Sequence, residues 1–137
     1  DIFIATAAVT DYKPCYESLV KIKKGDELET LNLKKTKDIL RDVSCNYNNV
    51  FTVGFAAESD INDDLIRDKM HYKQCDIIFA NKISEQTAFN SDYNELFAFY
   101  GQSKVHLPLT SKEEISYELL DLISKVYEES LNQELVT

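Results

Sequence analysis

The sequence predicts an α/β fold in which a mostly parallel sheet is flanked by helices. Three observations point there. Residues 2–8, 50–57 and 76–80 are short apolar runs with the length and composition of buried strands. Between the second and third run lies a helix-period pattern, with Ile61, Leu65, Ile66 and Met70 at core-facing spacing. After the third run the chain turns to an alternating hairpin pattern and then to a long amphipathic helix.

Taken in order, the first strand runs over residues 2–8, and residues 9–18, with Pro14 and two tyrosines, read as a loop. Residues 19–24 alternate, Val20 and Ile22 on one face against Lys21 and Lys23 on the other. Gly25-Asp26 is a turn signal, and residues 28–33 form the return strand, so an extended flap hairpin occupies about residues 19–34. Thr36 is the expected N-cap of a short helix over residues 38–43. The second strand covers 50–57. Ser59 or Asp60 then caps a helix reaching about Lys73, and the third strand covers 76–80. Residues 81–92 are polar and irregular. Residues 95–100 and 104–107, joined by Gly101-Gln102-Ser103, predict an antiparallel C-terminal hairpin. Ser111-Lys112-Glu113-Glu114 is a capping-box pattern. It opens a helix with the inner stripe Ile115, Leu119, Leu122, Ile123 and Val126, and the polar tail after Glu129 is expected to fray.

The 137 residues suit a single domain with one core, and a formal charge of −9 argues against a general nucleic-acid binder. A few clustered lysines can still hold a small anion within an acidic protein. No apolar run reaches the ~20 residues needed to span a bilayer, and no signal-peptide pattern is present. Cys15, Cys45 and Cys75 are odd in number and none stands at C-x-x-C spacing, which disfavours a disulfide framework or zinc knuckle and suits reduced cytoplasmic thiols. His71 and His106 lack companions at metal-ligand spacing and read as structural or solvent-exposed. With only three glycines, the chain lacks the glycine-rich loop common in nucleotide-binding α/β domains, so phosphate is held differently or that loop lies upstream of Asp1.

In an open α/β sheet, ligands sit at the carboxyl ends of the strands. Three positions satisfy that rule: residues 5–11, residues 55–58 and Asn81. Asp11 is either a turn aspartate or a polar contact for a ribose or a metal ion. Ala5, Thr6 and Ala7 either pack tightly or admit a ligand close to the backbone. Lys21, Lys23 and Lys24 form either a solvated charge run or a cationic flap over phosphates. Lys69 and Lys73, one turn apart, are either surface lysines or donors to a ligand. Phe55 either stacks on a base or belongs to the core.

These segments fall in a particular order: Ala7-Ala8-Val9-Thr10-Asp11-Tyr12, Lys21-Ile22-Lys23-Lys24, Asp38-Ile39-Leu40, Val53-Gly54-Phe55-Ala56-Ala57-Glu58, Lys69 and Lys73 before Asp76-Ile77-Ile78-Phe79-Ala80-Asn81, Phe89-Asn90-Ser91-Asp92, and Leu107-Pro108-Leu109 before Ser111-Lys112-Glu113-Glu114. In that order and spacing the chain resembles the ligase domain of bacterial-type phosphopantothenate–cysteine ligases over residues 2 to about 127.

The resemblance implies a Rossmann-like sheet and a role in coenzyme A biosynthesis. In that family CTP activates the carboxylate of 4′-phosphopantothenate as an acyl-cytidylate with magnesium assisting, and the amine of cysteine displaces CMP. It further implies that Ala5, Thr6 and Ala7 line the nucleotide, that Asp11 meets the ribose–phosphate side or the metal, and that Lys21 is the catalytic flap lysine. Lys37, Asp38, Ile39, Leu40 and Phe55 would surround the cytidine, with Lys69 and Lys73 donating to it. A homodimer exchanging flaps, a fused decarboxylase domain and a cytoplasmic location follow from the same likeness. So does the expectation that these residues are one truncated ligase domain, inactive alone, whose glycine-rich half precedes Asp1. The chain departs from the family pattern at Lys37 (usually Pro), Lys82 (usually Asp) and Ala88 (often Gly). Two other readings stand beside this one: a non-catalytic nucleotide-binding or interaction module on the same fold, and an ATP-using ligase.

Overall fold

The computed structural model describes residues 1–21, 30–83 and 91–134. Its main sheet has five strands in the order β1-β4-β5-β6-β7, and a separate two-stranded ribbon pairs β2 with β3. The strands are β1 (Ile2–Ile4), β2 (Tyr12–Pro14), β3 (Leu33–Lys35), β4 (Phe51–Glu58), β5 (Ile77–Lys82), β6 (Tyr93–Tyr100) and β7 (Ser103–Ser111). The helices are α1 (Ile39–Asn46), α2 (Asp63–Lys73) and α3 (Lys112–Glu134). β1, β4 and β5 run parallel, and β6 and β7 add an antiparallel hairpin. The sheet is therefore mixed, its parallel half produced by helical crossovers through α1 and α2.

Alternation along the strands divides the core between the two faces. Val53, Ile77, Phe79, Leu96 and Ala98 point to the side covered by Ile115 and Ile123 of α3. Ile78, Ala80 and Phe99 point to the side covered by Leu40 of α1 and by Ile66 and Met70 of α2. The run Ile77-Ile78-Phe79-Ala80 is apolar throughout because both of its faces are buried. Gly54 lies beneath α1: a Cβ there would stand 2.5 Å from Leu40 Cδ2. At the amino ends of the strands, Asp76 Oδ2 accepts from Thr52 N (2.6 Å) and Thr52 Oγ1 (2.9 Å), while Ser44 Oγ donates to Thr52 Oγ1 (3.1 Å).

Several sequence expectations shift. The first strand ends at Ile4, not residue 8: Ala5 N still donates to Val53 O, but Thr6 N turns back to Ile4 O and leaves the ladder. The stretch read as a loop over 9–18 contains β2, which pairs with β3 in the register Tyr12↔Lys35. The base of the flap hairpin therefore lies earlier than Leu19, and Leu19, Val20 and Lys21 are exposed and outside any strand. Its predicted turn, with Lys23 and Lys24, lies outside the described residues.

The caps move as well. α1 is capped by Asp38, whose carboxylate accepts from Arg41 N at 3.2 Å; Thr36 instead donates its hydroxyl to Thr10 O. α2 is capped by Asn62, accepting from Leu65 N, not by Ser59 or Asp60. Leu65 is exposed, because the inward stripe follows Ile66 and Met70 and Leu65 lies about 100° off it. The C-terminal hairpin is longer than expected, with a two-residue turn at Gly101 and Gln102, and the φ of +50° at Gly101 would strain a residue with a side chain. α3 begins with Ser111 Oγ accepting from Glu114 N at 3.2 Å and continues to Glu134, past the expected fraying point.

Candidate functional site

Two neighbouring cavities open at the carboxyl ends of β1 and β4, where the parallel half of the sheet leaves its loops. One, about 310 Å³, is mostly apolar and is lined by Ala5, Thr6, Ala7, Ile39 and Leu40, among others. The other, about 440 Å³, is more polar and includes Asp11, Lys35, Glu58 and Lys69. Asp38, Phe55 and Lys73 line both and so form the boundary between them. An apolar compartment beside one lined by three lysines and three carboxylates suits a ligand with a weakly polar end and a charged end.

Local chemistry places these groups. Asp38 sits at the α1 N-terminus because its carboxylate caps the helix, and Lys73 closes the last turn of α2. Lys73 Nζ donates to Asp38 Oδ2 at 2.9 Å. Burial pushes the Asp38 carboxyl up, but the Lys73 hydrogen bond, the Arg41 N–H and the nearby positive charges outweigh it and hold Asp38 below the ordinary carboxylate range. Arg41 strengthens the α1–α2 junction by donating to Tyr72 Oη (3.1 Å) and lying 4.2 Å from that ring's centre. Lys69 pairs with Glu58 at the end of β4.

Asp11 is held in place through its backbone, whose carbonyl accepts from Thr36 N at 2.9 Å, and its side chain makes no ion pair among the described residues. Among the described residues no group of three or more His, Cys, Asp or Glu side chains forms a metal cage. Magnesium bound through nucleotide phosphates needs only one or two protein carboxylates, and Asp11, lining the polar cavity, fits that role.

Ten of the twelve residues singled out from the sequence line the cavities: Ala5, Thr6, Ala7, Asp11, Asp38, Ile39, Leu40, Phe55, Lys69 and Lys73. Two do not. Lys37 pairs with Asp42 at 2.7 Å and lines a shallow groove with Arg41 and Cys45. Lys21 is exposed and lines neither cavity. Phe55 is not part of the core: it stacks on Phe79 with centroids 5.5 Å apart but stays 38% exposed at the cavity mouth. Asn81 is half-buried and lines neither cavity. Lys35, Thr36 and Tyr72 reach the polar cavity without having been singled out. Burial pushes the Cys75 thiol, with the Asp76 charge beside it, up to about 11, which leaves it inert as a nucleophile at neutral pH.

Residues 1–127 match the model of the DNA/pantothenate metabolism flavoprotein C-terminal domain. The chain belongs to that family. As a member it is 41% identical over 132 residues to the coenzyme A biosynthesis bifunctional protein CoaBC of Haemophilus influenzae, covering 95% of this chain and 33% of the relative. The same-named protein of Escherichia coli K12 is 40% identical over 135 residues, with 94% and 33% covered. The chain thus spans about a third of the length of the curated relatives it matches. A crystal structure of the C-terminal domain of CoaBC superposes with a TM-score of 0.70 at 27% identity, covering 94% of this chain and 56% of that one. A crystal structure of the DNA/pantothenate metabolism flavoprotein from Streptococcus pneumoniae gives 0.70 at 25% identity, covering 90% and 62%. No described helix of this family member is long and apolar enough to cross a membrane.

Proposed function

We propose that this chain supplies the nucleotide-binding part of a phosphopantothenate–cysteine ligase acting in coenzyme A biosynthesis, with CTP as the activating nucleotide. The observation that carries this reading is the pair of adjoining cavities, apolar and charged, divided by Phe55 and the Asp38–Lys73 pair. The base and ribose occupy the apolar compartment beside Ile39 and Leu40. The triphosphate occupies the polar one near Lys69 and Lys73. Asp11 holds a magnesium ion there, which offsets phosphate charge when bound.

The chemistry needs such a site because a free carboxylate resists attack by an amine. A carboxylate oxygen of 4′-phosphopantothenate attacks the α-phosphorus, the bond to the β-phosphate oxygen breaks, and pyrophosphate leaves. The cysteine amine then attacks the acyl carbon, loses a proton, and CMP departs. Fixed ammonium groups stabilise the negative charge that develops on phosphate and acyl oxygens.

Lys21 is assigned to the reaction by its place in the Lys-Ile-Lys-Lys segment. Its exposure, and its absence from the lining of both cavities, suit a flap lysine that acts in the partner's site of a homodimer. Relatives named as bifunctional favour a decarboxylase domain in the same protein.

The test is to supply the intact protein with 4′-phosphopantothenate, cysteine and either CTP or ATP, and to follow pyrophosphate release. Release with CTP alone supports the reading. Release with ATP alone assigns the other nucleotide. Nucleotide binding without release from either makes the chain a non-catalytic module and overturns the ligase assignment.

A further inference from the structure

Three lysines line the polar cavity, and their charges are not equally available. Lys69 is matched by Glu58 and Lys73 by Asp38. Lys35 lines the same cavity and makes no ion pair among the described residues. The cavity carboxylates divide the same way: Asp38 and Glu58 are paired, whereas Asp11 is not. Two internally neutral pairs therefore leave one uncommitted cation and one uncommitted anion facing the same space.

The backbone around Lys35 is anchored. β3 ends at Lys35, which stands opposite Tyr12 in the ribbon. The next residue, Thr36, ties the strand to the loop after β1: its N–H donates to Asp11 O at 2.9 Å and its hydroxyl donates to Thr10 O. Lys35 is thus held against the segment that carries Asp11. Alternation turns its neighbour Lys34 to the opposite face of the ribbon, and Lys34 does not line the cavity.

We propose that Lys35 is a resident phosphate-binding residue of this site, donating to the charged end of the nucleotide opposite Asp11. This inference rests on the nucleotide-ligase reading above and adds a residue to it. Lys69 and Lys73 meet a ligand with charges already offset by Glu58 and Asp38. Lys35 has no such partner among the described residues, so it accounts for more of the discrimination between a nucleoside triphosphate and its nucleoside.

The test is titration calorimetry of the intact protein, with cytidine measured by displacement of CTP. If the wild type takes ATP instead, ATP and adenosine replace them. Lys35→Gln should weaken triphosphate binding by about tenfold or more, the loss expected for one charge-assisted hydrogen bond. Nucleoside affinity should stay within about twofold, because the apolar compartment is untouched. Lys35→Arg should recover most of the loss, and Lys34→Gln should resemble wild type. An unchanged thermal midpoint in Lys35→Gln would confirm that the fold is intact. Equal triphosphate affinity in wild type and Lys35→Gln overturns the role of Lys35 while leaving the nucleotide site standing. So does an equal loss for triphosphate and nucleoside. A wild-type protein that binds neither CTP nor ATP overturns the underlying reading and this inference with it.

Discussion

Lys73 at the end of α2 donates to Asp38 at the start of α1 across 2.9 Å, so one contact joins a helix C-terminus, a helix N-cap and the boundary between two cavities. Both side chains remain about a third exposed, so the pair itself contributes little to stability, at most ~1 kcal/mol. Its main effect is to orient the two groups.

Asp38→Ala should cost more stability than Lys73→Met, because it removes the cap as well as the pair, adding ~1 kcal/mol. The two substitutions should be non-additive in a double-mutant cycle read by urea unfolding. The pH dependence has a definite sign. Asp38 titrates below its ordinary value in the folded chain, so its stabilisation is present above that ordinary value, near 3.8, and is lost as pH falls through the lowered one. Asp38→Asn should flatten the acid limb of the stability profile below about pH 4. An acid limb identical to wild type would show that Asp38 gains nothing from Lys73.

Gly54→Ala should destabilise the fold by ~1–3 kcal/mol, because the new methyl stands 2.5 Å from Leu40 Cδ2. The buried Leu40 side chain must move to make room, and because Leu40 lines the apolar cavity, ligand affinity should fall too. Adding Leu40→Ala relieves the clash at the cost of a cavity. The double variant should therefore be more stable than the sum of the single losses predicts, as measured by denaturant midpoint.

Asp76→Ala should cost ~1–3 kcal/mol by leaving Thr52 N and Thr52 Oγ1 without their acceptor in a buried position. The network lies at the amino end of β5, away from the cavities at the opposite end of the sheet. Ligand affinity at a temperature where the variant is folded should match wild type. A large affinity loss there would mean that the two ends of the sheet are coupled.

Lys21→Gln should abolish or stall product formation in the intact protein and leave the unfolding midpoint unchanged, since Lys21 is exposed and outside any strand. Full activity in that variant removes Lys21 from the mechanism.

Much of this organisation is carried by local pattern. The doubly apolar run 77–80, the helix-period stripe of α3 and the turn at Gly101 are each written within a few neighbouring residues, and each forms as expected. Strand-end placement picked out part of the cavity lining, from Ala5 to Asp11 and from Phe55 to Glu58, because in a parallel sheet the loops after the strands must converge. Caps were harder to read. Thr36, Asp38, Ser59, Asp60 and Asn62 are all competent capping types, and the choice among them depends on which backbone N–H each side chain meets once the helix is packed.

The amino-acid sequence by itself determined the strands and helices of the main sheet and several of the stretches that border the site, but not the β2–β3 ribbon. The tertiary structure alone decided the pairing of charges. Lys35, Lys37, Lys69 and Lys73 are alike as letters, yet two are answered by cavity carboxylates, one is drawn away by Asp42, and one is left facing the space. Charge pairing acts over a few ångströms between residues as much as 41 positions apart, so only the packed chain can assign it.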